Sequence, residues 1–170
     1  MEFGWKNNCQ KGLFNGKIGK DIGGGLCQMS NLLYWMVINT PLKVTERWRH
    51  SYDVFPDINR KIPFGCGATI SYNYVDFRFF NPTNRKFQIY LYLSDEYLHG
   101  IVYSNEPMKE KIEIMEKNHR IVHQWWGGYT RHNEIYRKII SENGNEEEEL
   151  LAENHAVMMY NPMIENLSLI

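Results

Sequence analysis

A cysteine that directly follows a run of glycines is the feature of this sequence with the clearest chemical potential. Cys27 comes after Gly23-Gly24-Gly25-Leu26 and opens an apolar stretch with helical spacing. Glycines let the backbone adopt conformations closed to other residues and let a substrate approach closely. The start of a helix offers unpaired N–H groups and a positive dipole end, which favour the nucleophilic thiolate and could stabilise an oxyanion during acyl transfer. The alternative interpretation is a small buried cysteine that packs where a loop meets a helix.

A nucleophilic cysteine usually needs a base, and the base needs an orienting group. His50 follows a predicted strand at 42–48, and Asp76 lies in a strand-like stretch at 74–79. A helix that carries Cys, followed by strands that carry His and an acid, is the chain order of papain-like and transglutaminase-like thiol enzymes, although this is an analogy of order alone. Asp76 has a second interpretation, which is an ion pair with Arg78 on the same strand face.

The elements that must position these residues can be read from hydrophobic spacing. Apolar residues recur at three- and four-residue intervals, which predicts one buried helix over 27–38. That helix ends at Asn39-Thr40-Pro41, because proline disfavours helix in the residue before it. The residues that define the spacing are Leu26, Met29, Leu33, Met36 and Val37.

The rest of the chain after the helix has mostly a period of two, which is typical of strands. Apolar and polar residues alternate over 68–74, and residues 86–104 form a predicted hairpin around Ser94-Asp95-Glu96. A second predicted hairpin joins 119–126 to 134–141 through Gly127-Gly128, and a last strand covers 156–160. The fold class is therefore α+β, with one principal helix starting at the Gly-Gly-Gly-x-Cys motif and a mostly antiparallel sheet after it.

Length and composition favour one globular domain over residues 1–170. We expect a loop-like N-terminal stretch at 1–22 and a β-rich part at 106–170, in which Glu146 to Glu149 form an acidic loop. A hydrophobic share of 43% excludes a disordered chain. The 19 basic and 20 acidic side chains give a net charge of −1, which argues against a nucleic-acid partner. No apolar run is long enough to cross a membrane.

Cysteine and histidine spacing predicts neither a disulfide scaffold nor a metal centre. The three cysteines are widely spaced, and none has the CxxC spacing of a structural zinc site. His119 and His123 lie four residues apart with His132 nearby, but no carboxylate or cysteine stands at a companion spacing. We expect no metal ion and no cofactor.

Several strings together resemble the signature of the VanW family. The most specific is Gly23-Gly24-Gly25-Leu26-Cys27-Gln28-Met29-Ser30. The resemblance is clear over about residues 10–105 and fainter to about residue 160. The other matching strings are Asn39-Thr40-Pro41-Leu42, His50 followed by Phe55-Pro56, Ala68-Thr69-Ile70-Ser71, and Asp76 with Asn81.

The resemblance implies a link to the bacterial cell wall and to glycopeptide (vancomycin) resistance. Related VanW domains are associated with a Cys-dependent L,D-transpeptidase activity that makes 3–3 cross-links, so the implied partners are peptidoglycan stem peptides or their precursors. On this basis Cys27 is the acyl-accepting thiol, His50 the base and Asp76 its orienter. The substrate-binding residues that match the motifs are Gly24, Gly25, Gln28, Ser30 and Arg78. A non-catalytic accessory or binding module for a cell-wall peptide, a glycan or a partner protein is the alternative.

The beginning of the chain gives two conflicting expectations about location. It lacks a basic region followed by an apolar stretch, so no signal peptide is recognisable and the chain has the features of a cytoplasmic protein. The family role would instead place it in the cell envelope. Because only 22 residues precede the glycine string, we expect the family's upstream segment to be missing from this sequence.

Overall fold

The protein is an α+β chain in which strands predominate, as the sequence predicts. In a computed structural model, residues 2–6, 12–14, 17–19, 25–54 and 61–162 are described, and within them there are one α-helix and eleven strands. The elements are β1 (Glu2–Lys6), β2 (Gly12–Phe14), β3 (Lys17–Gly19), α1 (Leu26–Ile38), β4 (Lys43–Glu46), β5 (Tyr52–Asp53), β6 (Arg78–Phe80), β7 (Phe87–Leu93), β8 (Tyr97–Ser104), β9 (Lys111–His123), β10 (Tyr129–Ile140) and β11 (Glu146–Met158).

Contacts within the chain group these elements into two compact units. The first unit contains Met1–Arg49 and Gly67–Lys111, and the second contains His50–Cys66 and Ile112–Ile170. The prediction of a single domain over 1–170 stays a prediction.

Helix α1 is confirmed, and it begins one residue before the predicted start. The backbone N–H of Met29 donates to the carbonyl of Gly25 at 3.0 Å, which closes the first turn. At the other end, the Asn39 side chain donates to the carbonyl of Trp35 at 2.8 Å, and the Thr40 hydroxyl donates to that of Val37 at 2.7 Å. These bonds satisfy carbonyls that have no partner within the helix, and Pro41 prevents a further turn.

The core of the first unit lies between α1 and the sheet β1-β8-β7. Leu32 and Met36 of the helix pack against Leu98 and Val102 of β8. Gly100 lies between these two strand residues, and a Cβ atom there would stand 2.3 Å from the sulfur of Met36. The glycine therefore allows the helix to approach the sheet closely, and the antiparallel β7–β8 hairpin confirms the one predicted at 86–104.

Two predictions about the first unit are wrong. The stretch 1–22 is not loop throughout, because β1 pairs with β8 and β2 pairs with β3. The alternating stretch 68–74 is not a continuous strand. Ser71 and Val75 instead bridge across a tight turn, in which Asn73 has φ +64° and the flanking Tyr72 and Tyr74 are exposed.

The second unit is a four-stranded sheet in the order β5-β11-β10-β9. Strands β10 and β11 are antiparallel, and the short β5 runs parallel to the end of β11. The predicted hairpin around Gly127 is confirmed, since the N–H of Gln124 donates to the carbonyl of Gly128 at 2.8 Å. Both of its strands extend further than the sequence pattern indicates.

The predicted acidic loop is wrong, because Glu146 to Glu149 form the first residues of β11. Strand β10 places Lys138 opposite Glu148 and Arg137 opposite Glu149. The Arg137 guanidinium lies 2.5 Å from the Glu149 carboxylate, and Lys117 of β9 lies 2.5 Å from Glu148. Basic residues of neighbouring strands thus neutralise a run that by itself has the composition of a solvated loop.

Candidate functional site

Cys27 lies in the first turn of α1, where the helix is least covered. Its side chain is half-buried, the neighbouring Leu26 is exposed, and the following Gln28 is buried. The thiol donates to the backbone carbonyl of Ile70 with a sulfur–oxygen distance of 3.6 Å. The glycine that precedes the helix, Gly25, caps it without any side-chain hydrogen bond. Gly25 therefore offers no side chain to occupy the backbone N–H groups of the first turn, and an oxyanion site draws on such N–H groups.

The segment 67–70 is held against α1 by two side chains of the helix, and we call this arrangement the Ala68 clamp. The Ser30 hydroxyl lies 2.5 Å from the carbonyl oxygen of Ala68 and 3.1 Å from that of Cys27. The Asn31 side-chain oxygen accepts the N–H of Ala68 at 2.9 Å. Since Ser30 is 1% exposed and its bond to the Ala68 carbonyl is buried, that hydrogen bond forms away from water and is costly to break.

The opposite edge of the same segment is fixed by residues that follow β4. The Arg47 side chain donates from Nε to the carbonyl of Gly67 at 2.8 Å, and its guanidinium lies over the ring of Tyr34 at 4.6 Å. The N–H of Thr69 donates to the carbonyl of Trp48 at 2.8 Å. The segment is therefore tied on both edges, and this sets where the carbonyl of Ile70 meets the Cys27 thiol.

Asp76 and Arg78 form the ion pair that the sequence offered as an alternative for Asp76. The Arg78 guanidinium donates to the Asp76 carboxylate at 2.7 Å and lies 3.2 Å from Glu46. These two carboxylates raise the pKa of Arg78, with the hydrogen bond to Asp76 as the largest cause. The roles of Asp76 as an orienter and of Arg78 as a substrate-binding residue stay predictions.

The other predicted site residues fall in different places. His50 is exposed and belongs to the second unit, while Cys27 belongs to the first, so the dyad stays a prediction. Gly24 lies outside the described residues. Gln28 is 9% exposed, and Ser30 lies beneath the helix start with its hydroxyl occupied by backbone carbonyls. Their part in an acyl pocket is likewise untested.

Sequence reasoning missed Asn31, Gly67 and Arg47. Asn31 comes one helical turn after Cys27, and that spacing was a usable signal for a side chain on the same face. Gly67 allows the clamp to close, because a Cβ atom there would lie 2.3 Å from the Asn31 side-chain oxygen. Arg47 carried no local signal, since its acceptor lies 20 residues further along the chain.

Two of the three histidines considered as metal ligands, His119 and His123, have contacts of other kinds. His119 accepts a hydrogen bond from Arg131 at 2.9 Å, and the ring of His123 lies 5.0 Å from that of Tyr129. Within the described ranges, no group of three or more His, Cys, Asp or Glu side chains is arranged to hold a metal ion. No helix in the same ranges is long and apolar enough to cross a membrane.

A comparison with protein families decides the family of this chain. The family model described as "VanW like protein" matches residues 3–103, which is more than half of the sequence. The chain belongs to the VanW family. Its match contains Cys27, the Ala68 clamp and the Asp76–Arg78 pair, and it ends before β9 begins.

Two curated relatives share part of this VanW-family chain. It is 36% identical to the "Vancomycin B-type resistance protein VanW" of Enterococcus faecalis over 115 residues, which is 68% of this chain and 42% of that protein. It is 33% identical to the "Uncharacterized protein YoaR" of Bacillus subtilis over 73 residues, which is 43% of this chain and 22% of that protein. The chain thus spans less than half the length of the curated relatives that it matches. No solved structure matches it.

Proposed function

We propose that this VanW-family chain acts on the stem peptides of bacterial peptidoglycan, in a process linked to vancomycin resistance, with Cys27 as an acyl-accepting thiol. The cell-wall link rests on the family match and on the printed name of the Enterococcus relative. The observation that supports a chemical role is the half-buried thiol at the least covered end of an otherwise buried helix. Its surroundings are fixed by the Ala68 clamp, so a bound peptide would meet a rigid site.

The proposed reaction transfers an acyl group in two steps. The Cys27 sulfur attacks a stem-peptide carbonyl, the thiol proton passes to a base, and the bond to the terminal residue breaks, so that this residue leaves as an amine that takes up a proton. The resulting thioester is then attacked by the amine of a second stem, which gives a cross-link, or by water, which gives a shortened stem. We assign the base to His50 and its orientation to Asp76. The helix N–H groups stabilise the oxyanion in each step.

A second candidate function is a non-catalytic binding module for the cell wall. One observation favours it: the Cys27 thiol donates its hydrogen to the carbonyl of Ile70. This contact links the helix to the segment 67–70. In that case Cys27 packs and stabilises, and the Ala68 clamp supports a binding surface.

The rate of Cys27 alkylation against pH distinguishes the two candidates. We expect Cys27 to react at lower pH than a free cysteine and expect this displacement to be lost in His50→Ala. Cys66 is 4% exposed and is the internal control, because burial should keep it slow throughout. A Cys27 profile that coincides with that of free cysteine would contradict the acyl-transfer proposal and leave the binding module.

Turnover of purified muropeptides is the decisive second measurement. We expect Cys27→Ala to abolish product formation while the thermal midpoint stays close to that of the parent protein. Full turnover by this variant would refute the role of Cys27. Saturable binding of muropeptides without turnover in the parent protein would establish the second candidate.

A further inference from the structure

Two histidines face each other across the sheet of the second unit, outside the family match. His132 of β10 and His155 of β11 are register partners, so their side chains share one face of the sheet. We call them the His pair. Their Nδ1 atoms lie 2.6 Å apart, and their rings are inclined by 65° rather than stacked. The two Nδ1 atoms therefore lie close enough to contact one small ligand together.

The hydrogen bonding around the His pair leaves room for only one proton between the rings. At this Nδ1–Nδ1 distance one nitrogen donates and the other accepts. The far nitrogen of His132, Nε2, lies 2.9 Å from the hydroxyl oxygen of Thr130, which also accepts a hydrogen bond from Gln124 at 2.6 Å. A ring nitrogen that is held in this way fixes the orientation of the imidazole, as residues behind metal-bound histidines do.

Burial and neighbouring charges both act on the imidazole of His132. Burial lowers the pKa of His132, and the positive charges of His155 and Arg120 lower it further. A histidine must be neutral to ligate a cation. The next register pair along the same face, Glu134 and Glu153, adds negative charge that favours a bound cation and partly offsets Arg120.

We propose that the His pair binds one divalent first-row transition cation, Cu²⁺, Ni²⁺ or Zn²⁺, through the two Nδ1 atoms. Metal–imidazole bonds of about 2.0–2.1 Å place two ligand nitrogens about 2.9 Å apart at a right angle and about 3.4 Å apart in a tetrahedron. The rings must therefore separate by less than about 1 Å, and His155 lies on the exposed surface where it can turn. The proton between the rings moves through water to Nε2 of the ring that carried it, so that both ligands are neutral, and water completes the coordination.

Calorimetric titration of untagged protein with Zn²⁺, Ni²⁺ and Cu²⁺ tests the proposal near pH 7.5. We expect one cation per chain, with Cu²⁺ the tightest of the three and no heat from Mg²⁺, since imidazole is a poor ligand for Mg²⁺. His132→Gln and His155→Gln should each abolish this binding. Thr130→Val should weaken it by about tenfold or more, because Thr130 holds the ring of His132.

A matched control separates the His pair from other ligands. His99→Gln changes a histidine of β8 that stacks on Tyr92, and it should leave the titration unchanged. Thermal melts of each variant confirm that it is folded, and the exposed position of His155 makes His155→Gln the safer of the two substitutions. If the parent protein binds none of these cations, or binds them as tightly as the double variant His132→Gln/His155→Gln does, the proposal is refuted.

Discussion

The backbone around Cys27 is fixed mainly by hydroxyl and amide side chains, whereas the four-stranded sheet of the second unit also buries a charged pair. In the first unit, Ser30 and Asn31 bond to the backbone of Ala68. In the second, buried Arg131 lies 3.4 Å from buried Asp53, which also accepts the hydroxyl of Tyr160 at 2.8 Å. Neutral clamps keep their geometry over a wide pH range, while ion pairs and histidines change with protonation. We therefore expect the two regions to respond differently to substitution and to pH.

A glycine substitution in the second unit has the largest expected effect. Gly65 has φ +89°, and a Cβ atom there would lie 2.2 Å from the side-chain nitrogen of Asn154. That nitrogen donates to Asn133, whose own amide bonds to the carbonyl of Phe64 at 2.6 Å. Gly65→Ala should lower the free energy of unfolding by about 3 kcal/mol or more, because it adds backbone strain and breaks a buried amide network. Urea denaturation measures this loss.

Gly144→Ala is the matched control for that substitution. Gly144 has a similar φ of +82°, but a Cβ atom there meets nothing within 4 Å. Gly144→Ala should lower the free energy of unfolding by only about 1 kcal/mol, because alanine is less favourable than glycine in the left-handed conformation. Equal losses in the two variants would show that the clash with Asn154 costs nothing beyond the backbone strain.

Removing one hydroxyl from the Ala68 clamp has the next largest expected effect. Ser30→Ala leaves the buried carbonyl of Ala68 without its hydrogen bond and should cost about 2 kcal/mol in the free energy of unfolding. It should also speed the alkylation of Cys27, because the Ile70 carbonyl is then less firmly placed. Ser94→Ala is the control, since its hydroxyl bonds at an exposed turn and the cost should be about 0.5 kcal/mol. An unchanged alkylation rate in Ser30→Ala would show that the Ala68 clamp does not control the reactivity of the Cys27 thiol.

Sequence patterns could predict the elements whose partners are close in the chain. Helix α1 follows from its own spacing and its proline stop, and the β7–β8 hairpin follows from two alternating runs with a short turn between them. The pairing of β1 with β8 was not predictable, because Glu2 meets Ile101 across nearly a hundred residues. The strand at Glu146 was missed for a similar reason. Only the basic residues of neighbouring strands make that run compatible with a sheet.

The candidate site divides in the same way. The placement of Cys27 at a helix start was predictable from the glycines and from the apolar run after them. The clamp was not, since Asn31 and Ala68 are 37 residues apart and Arg47 and Gly67 are 20 apart. The polarity of these residues carried no information on which backbone group each one would meet. That information resides in the packing of α1 against the segment 67–70.

Acidification should affect the second unit before the first. The pKa of His132 is lowered mainly by burial, so the folded chain binds fewer protons than the unfolded chain below the ordinary value of 6.5. The free energy of unfolding should begin to fall as the pH drops below 6.5. It should keep falling until the pH has passed the lowered pKa of the folded chain. In the first unit, a hydrogen bond from Arg85 lowers the pKa of Glu110 below its ordinary value of 4.5. The contribution of Glu110 to stability is therefore lost only as the pH drops below 4.5.

Thermal melts at several pH values test this order. His132→Gln should flatten the change in midpoint as the pH falls from about 7 through and below 6.5, and Glu110→Gln should leave that interval unchanged. Glu110→Gln should instead alter the decline at lower pH. If Glu110→Gln flattened the upper interval, or His132→Gln did not, the assignment of the pH response to the two units would be wrong.

The smallest expected effect on stability comes from the exposed ion pair beside β6. Asp76 bonds to Arg78 at 2.7 Å, and their side chains are 59% and 64% exposed, so water and salt screen the attraction. Asp76→Asn should therefore leave the urea midpoint close to that of the parent protein.

The effect of Asp76→Asn on the alkylation of Cys27 distinguishes two roles for the carboxylate. If Asp76 orients His50, the alkylation profile of Cys27 in Asp76→Asn should approach that of His50→Ala. If Asp76 only pairs with Arg78, the profile should be unchanged, and Arg78→Gln should behave in the same way. A changed profile in Arg78→Gln alone would move the functional role from the carboxylate to the guanidinium.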